Sequence, residues 1–145
     1  MNITLIRYRK KHDWIDGRLQ SDIGYLADTV ENLEAALPVG KYIIQVVKCK
    51  QHARKMPIVA VKPLACEHCS KLDFVCNNTS MPCYCPQICP GNGMHNRKDG
   101  AIIVGKYNCS GSLIHPKDTF SRIYEILRKT SERGNEITLT IKETF

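Results

Sequence analysis

The sequence lacks the features that mark an exported or a membrane-spanning protein. Its first residues, MNITLIRYRKKHDW, contain neither a long apolar segment nor a small-residue cleavage site, so no signal peptide is predicted. No apolar run approaches the roughly 18 residues that a membrane-spanning helix requires. We therefore expect a cytoplasmic protein without a membrane span, with release by lysis or export without a signal as the alternatives.

Aromatic residues are scarce, and the basic residues are not gathered into one stripe. Only 7% of the residues are aromatic, and for the single tryptophan, Trp14, packing is favoured over ligand binding. The 21 lysines and arginines give a net charge of +7, which can favour nucleic acid. No nucleic-acid-binding motif accompanies the densest basic group, so nucleic-acid binding is a less favoured hypothesis. That group comprises Arg7, Arg9, Lys10, Lys11 and His12.

The chain length and the hydrophobic pattern together predict one domain that spans residues 1–145. A chain of 145 residues can bury a sizeable core. Alternating apolar and β-branched residues predict six or seven strands, which favour an antiparallel sheet or a small barrel. The order of the strands does not follow from the pattern. The segments with strand character are residues 2–9, 14–20, 23–30, 41–49, 57–61, 101–107 and 136–142.

One segment near the C-terminus has the periodicity of an amphipathic helix. Pro116 suits the first helical turn, and Gly134 suits the helix end. Phe120, Ile123 and Leu127 recur at helical spacing and share one face. The predicted fold class is therefore α+β, with the helix covering one opening or face of the mostly antiparallel sheet.

Six of the eight cysteines lie between Cys66 and Cys89. Without an export signal, clustered cysteines are more typical of metal ligands than of disulfides. Residues 63–93 are therefore interpreted as a loop-rich insertion that binds a structural zinc through four thiolates. Disulfides, free thiols and an iron–sulfur cluster are the alternatives. The preferred ligands are Cys66, Cys69, Cys85 and Cys89, with Cys76, Cys83 and His68 as substitutes.

Most of the chain outside the cysteine cluster resembles an uncharacterised domain family of gut bacterial and phage genomes. The resemblance is carried by GRLQSDIGYLADTVE, LPVGKYIIQVV and PGNGMHNRKDGAIIVGKYNCSGSLIHPKDTFSRIYEILRK. That family usually carries a histidine two residues before a Gly-Asn pair, followed by a Gly-Cys-Ile-Leu-Val-Gly motif. The arrangement is similar to the His…Gly-Cys signature of L,D-transpeptidases, in which a cysteine thiolate attacks an acyl carbonyl. The resemblance implies a phage or mobile-element protein that acts on cell-wall peptides or binds them.

The sequence departs from that signature at both positions that carry the chemistry. Cys89 stands where the histidine is usual, and Ala101 stands where the nucleophilic cysteine is usual. A methyl group cannot attack a carbonyl, so the inherited acyl transfer is predicted to be absent. A Cys89–His95 pair is the alternative, since a thiol needs only a base within hydrogen-bond reach. The motif positions are Gly91, Asn92, Gly100, Ala101 and Gly105.

These observations favour a non-catalytic binding or accessory domain that is stabilised by structural zinc. Its ligand is not identified by the sequence, and a cell-wall peptide or another protein is expected. The first alternative is a cysteine-dependent enzyme of the L,D-transpeptidase type, and the second is a nucleic-acid-binding protein.

Metal analysis of the purified protein tests the zinc hypothesis. Bound zinc is expected after purification under reducing conditions, because thiols kept reduced remain available as ligands. Protein that is folded under these conditions and carries no zinc would remove the metal from the proposed domain.

Overall fold

The computed structural model describes residues 1–48, 54–61, 86–93 and 100–145. Each segment whose alternation predicts a strand contains one, and the single helix lies where its periodicity predicts it, which confirms the α+β class. In chain order the elements are β1 (Asn2–Lys10), β2 (Trp14–Ser21), β3 (Gly24–Asn32), β4 (Gly40–Lys48), β5 (Lys55–Ala60), β6 (Ile88–Pro90), β7 (Ile102–Cys109), β8 (Ser112–Ile114), α1 (Pro116–Glu132) and β9 (Ile137–Glu143).

Two short strands were not indicated by the sequence pattern. One is β6, which lies inside the stretch 63–93 that was interpreted as a loop-rich insertion. The other is β8, which follows the turn at Ser110 and Gly111 and pairs antiparallel with β7. Each has three residues, which is too short for a period to be recognised.

All the strands except β8 form a nearly closed barrel in the order β5-β4-β9-β1-β2-β3-β7-β6. Most neighbours are antiparallel, whereas the β1–β9 and β6–β7 pairs are parallel. The two ends of this order meet where Ile58 bridges Gln87 and the Val59 amide donates to the Pro86 carbonyl at 2.9 Å. These contacts pair much of what would otherwise be open sheet edges.

The helix α1 lies across one end of the barrel. It contacts β3, β4, β5, β6, β7 and β9, and a helix that touches six strands of a barrel must cross its opening. Phe120, Ile123 and Leu127 are buried, as the helical spacing predicts. Gly134 ends the helix with φ +78°, a conformation that glycine adopts without strain.

The barrel interior is filled by alternate side chains from the strands. In β1 these are Ile3 and Leu5, which lie opposite Leu139 and Ile141 of β9 in the parallel register. All four side chains are almost inaccessible to solvent. Burying an aliphatic side chain of this size contributes about 1.5–3 kcal/mol to folding, so this strand pair is a substantial part of the core.

Arg7, a member of the densest basic group of the sequence, continues the inward alternation of β1 and is buried. It is 2% exposed, and its partner Glu31 is fully buried. The Arg7 Nε and Nη2 atoms donate to the two Glu31 carboxylate oxygens at 3.0 and 2.8 Å. Nη2 also donates to the Leu37 carbonyl at 2.7 Å. Burial raises the pKa of Glu31, and the Arg7 guanidinium opposes that rise.

Replacing Arg7 by alanine is expected to destabilise the protein by about 3–5 kcal/mol, because the buried Glu31 carboxylate loses its partner. The free energy of unfolding in urea measures this loss. The matched control is Arg128→Ala, which removes an arginine that pairs with Glu125 and Glu132 on the exposed side of α1. A much smaller loss is expected there, since solvent screens that pair. Equal losses in the two variants would contradict the role given to Arg7.

Candidate functional site

The positions that carry the transpeptidase-like signature come together where β6 runs beside β7. In the parallel register Cys89 lies opposite Ile103, and the Ile102 amide donates to the Gln87 carbonyl at 2.9 Å. Ala101 lies directly before β7, two residues before Ile103. The structure therefore brings the two motif positions to one pair of strands, where neither a histidine nor the expected cysteine stands.

The position of the missing nucleophile is closely packed. Ala101 is 4% exposed. The preceding residue, Gly100, has φ +81°, and a Cβ there would lie 3.4 Å from the Ala35 carbonyl oxygen and from Pro86. A substrate carbonyl would find only a methyl group on this part of the wall.

The remaining motif residues hold β8 against the barrel. The Asn92 carbonyl accepts a hydrogen bond from the Leu113 amide at 2.7 Å, and the Asn92 side-chain amide donates to the Leu113 carbonyl at 3.4 Å. A Cβ at Gly105 would lie 2.9 Å from the Leu113 Cβ, so glycine permits this close approach. These contacts give the Gly-Asn pair and the last motif glycine a structural role.

A cleft of about 480 Å³ lies between α1 and the β5–β6 side of the barrel. Its apolar wall includes the buried thiol of Cys89, and its polar side carries two cations. The described residues that line it include no carboxylate. These lining residues are Arg54, Met56, Cys89, Pro90, Lys117, Phe120 and Ser121.

Two aromatic rings position the Arg54 side chain in this cleft. The guanidinium carbon lies 5.5 Å from the centroid of the Phe120 ring and 4.8 Å from that of Tyr124. Such cation–π contacts orient an arginine without neutralising it, so its donors can still bind an anion. No sequence pattern predicts this arrangement, because Arg54 and the two rings lie more than 60 residues apart in the chain.

Only one preferred zinc ligand, Cys89, lies among the described residues, where it is 3% exposed. No group of three or more His, Cys, Asp or Glu side chains within residues 1–48, 54–61, 86–93 and 100–145 could hold a metal ion. The zinc site and the Cys89–His95 pair therefore stay predictions. The other predicted site residues, Cys66, Cys69, Cys76, Cys83, Cys85, His68 and His95, lie outside the described part of the chain.

A buried polar cluster that the sequence did not reveal fastens the β7–β8 turn to β2. Asp16 is 1% exposed and accepts hydrogen bonds from the Ser110 hydroxyl and from the Gly111 amide, the latter at 2.8 Å. Trp14 donates to the Ser110 hydroxyl at 2.8 Å, and a Cβ at Gly111 would lie 2.8 Å from the Trp14 ring. Trp14 thus packs within the structure, the role favoured for it. More than 90 residues separate these partners in sequence, so no local pattern predicts the cluster.

Comparisons with protein-family models, with curated proteins and with solved structures find no match for this chain. The resemblance to the phage and gut-bacterial family therefore stays a prediction that rests on its motif residues. No helix in the described part of the chain is long and apolar enough to cross a membrane.

Alkylation of the native protein tests the chemistry of the two described thiols. Cys109 is exposed and is expected to react like free cysteine, whereas the buried Cys89 should react at least about tenfold more slowly. Iodoacetamide labelling followed by tandem mass spectrometry measures both rates, and denatured protein, in which the rates converge, is the control. A Cys89 that reacts faster than Cys109 would favour the cysteine-dependent enzyme instead.

Proposed function

We propose that this protein is a non-catalytic binding domain, and that the cleft between α1 and the β5–β6 side is its ligand site. The observation that carries the proposal is the pairing of two cations, Arg54 and Lys117, with an apolar wall in one cavity. Catalysis is not part of the proposal, since Ala101 supplies no nucleophile and Cys89 is buried in the wall.

The chemistry of the cleft favours a ligand that carries a carboxylate beside an apolar group. Arg54 can donate to a carboxylate through a planar fork, and Lys117 can add a second positive charge. Lys117 lies in the first turn of α1, where the helix dipole also favours an anion. Met56 and Phe120 offer apolar surface for a small side chain.

A cell-wall peptide has this chemistry, and we propose it as the ligand class. Such peptides combine free carboxylates with small apolar side chains. The resemblance to L,D-transpeptidases points to the same substrates, and a domain that has lost the reactive pair can still keep the recognition surface. The proposed role is therefore that of a phage or mobile-element accessory protein that binds cell-wall peptide.

Structural zinc belongs to the same proposal. Four thiolates complete the coordination shell of zinc, so the metal would stabilise the cysteine-rich segment and leave no position for a reactive water. Cys89, which lies in β6, would connect such a site to the barrel wall.

Calorimetric titration with a soluble cell-wall stem peptide tests the ligand proposal. Arg54→Gln and Lys117→Gln are each expected to weaken binding roughly tenfold, because each removes a charged donor. Amidation of the peptide carboxylates should weaken binding to the native protein in the same way.

The matched control is Lys55→Gln, which removes the cation next to Arg54 in sequence from a residue that does not line the cleft. Its affinity should stay close to that of the native protein. Equal effects at Lys55 and at Arg54, or unchanged binding of the amidated peptide, would contradict the proposed site.

A further inference from the structure

A bulge in β1 places Tyr8 and Arg9 on the same outer side of the barrel. Arg7 lies opposite Gly17, but the next residue in register is Arg9, which lies opposite Asp16. Tyr8 is the extra residue of the bulge. The inward alternation stops at Arg7, and both Tyr8 and Arg9 lie on the outer side. The Arg9 guanidinium lies over the Tyr8 ring, 5.4 Å from its centroid.

Contacts between strands extend this pair into a continuous surface. Arg9 donates to the Tyr107 hydroxyl at 3.4 Å, which links β1 to β7. The Tyr107 amide and the Tyr25 hydroxyl both donate to Asp28, each at 2.9 Å, which links β7 to β3. Arg18 of β2 lies opposite Asp28 in the antiparallel register. The tyrosine–arginine face is defined by Tyr8, Arg9, Arg18, Tyr25 and Tyr107.

The aromatic rings of this face are accessible to a partner. Tyr25 is 48% exposed and Tyr107 is 45% exposed. Burial and the hydrogen bond to Asp28 raise the pKa of Tyr25 to about 12. A neutral ring that is half open to solvent is a suitable surface for stacking.

The accessible charge on this face is positive. Asp16 is 1% exposed and pairs with Arg9 at 3.3 Å, so these two charges offset each other. Asp28 accepts hydrogen bonds from Tyr25 and Tyr107, and the positive charge available to a partner comes from Arg18 and from the lysines at the end of β1. Arg18 is exposed and forms no salt bridge with any described residue, and the same holds for Lys10 and Lys11 at the end of β1. The net charge of +7 supports the same sign over the whole chain.

Exposed rings interleaved with cations are the chemistry that recognises single-stranded nucleic acid. Bases stack on aromatic side chains, and arginines neutralise the phosphates between them. A duplex keeps its bases stacked on one another, so it cannot use the rings in this way. An acidic protein segment could pair with Arg18 and the lysines but would make no use of the two exposed rings, Tyr25 and Tyr107. We propose that the tyrosine–arginine face binds single-stranded nucleic acid without strong sequence preference.

Fluorescence anisotropy with a labelled oligothymidylate of about twelve nucleotides tests this proposal at roughly 50 mM salt. Tyr25→Ala and Tyr107→Ala are each expected to weaken binding about tenfold through the loss of stacking. Tyr25→Phe keeps the ring and should restore near-native affinity. Arg18→Gln should weaken binding and should also reduce its dependence on salt concentration.

The controls separate stacking from general attraction between opposite charges. Phe145→Ala removes an exposed ring outside the face and should leave affinity unchanged. A duplex of the same length and a polyglutamate peptide should bind much more weakly than the single strand. Circular dichroism confirms that each variant is folded. Three outcomes would overturn the proposal: no binding of the single strand, equal binding of polyglutamate or duplex, or full affinity in both tyrosine-to-alanine variants.

Discussion

The barrel closes where β5 meets the residues that precede β6, and the proposed ligand cleft depends on that closure. Two contacts join the ends of the sheet: the hydrogen bond from the Val59 amide to the Pro86 carbonyl, and the bridge between Ile58 and Gln87. Without this contact, β5 would not lie beside β6, and Arg54 could not share a cleft with the β6 residues. Closure also gives α1 a complete opening to cross, which fixes the helix relative to β3 and β7 on the other side.

Buried charge divides the basic N-terminal group into two parts with different roles. Arg7 and Arg9 are two residues apart, yet Arg7 pairs with the buried Glu31 whereas Arg9 lies on the outer surface. The bulge at Tyr8 separates these environments. The sequence contains one indication of this division: Arg7 continues the every-second-residue spacing of Ile3 and Leu5, the buried apolar residues of β1. The alternation alone did not predict that Arg7 is buried, because arginine is seldom buried without a partner. Its partner, Glu31, lies 24 residues away in the sequence.

Local patterns predicted the long elements, and long-range contacts decided the rest. The strand β9 and the helix α1 could be predicted because periodicity is a property of neighbouring residues. The order of the strands could not, since the parallel pairing of β1 with β9 joins segments at the two ends of the chain. At the candidate site, the motif directed attention to Cys89 and Ala101, and the structure places them in β6 and directly before its neighbour β7. Arg54 and Lys117 were missed because they meet only when α1 crosses the barrel end.

The helix α1 lines the proposed cleft and also contacts β3 near the tyrosine–arginine face. Lys117 and Phe120 line the cleft, whereas Arg122 donates to a β3 carbonyl near the tyrosine–arginine face. Between these side chains, the fully buried Ile123 and Leu127 attach the helix to the barrel. Substitutions with no shared partners have nearly additive effects, so a change confined to one surface should leave the other unaltered. Coupling through the helix would require α1 to move as a body, and that would disturb both buried side chains. The packing therefore favours two surfaces that bind independently.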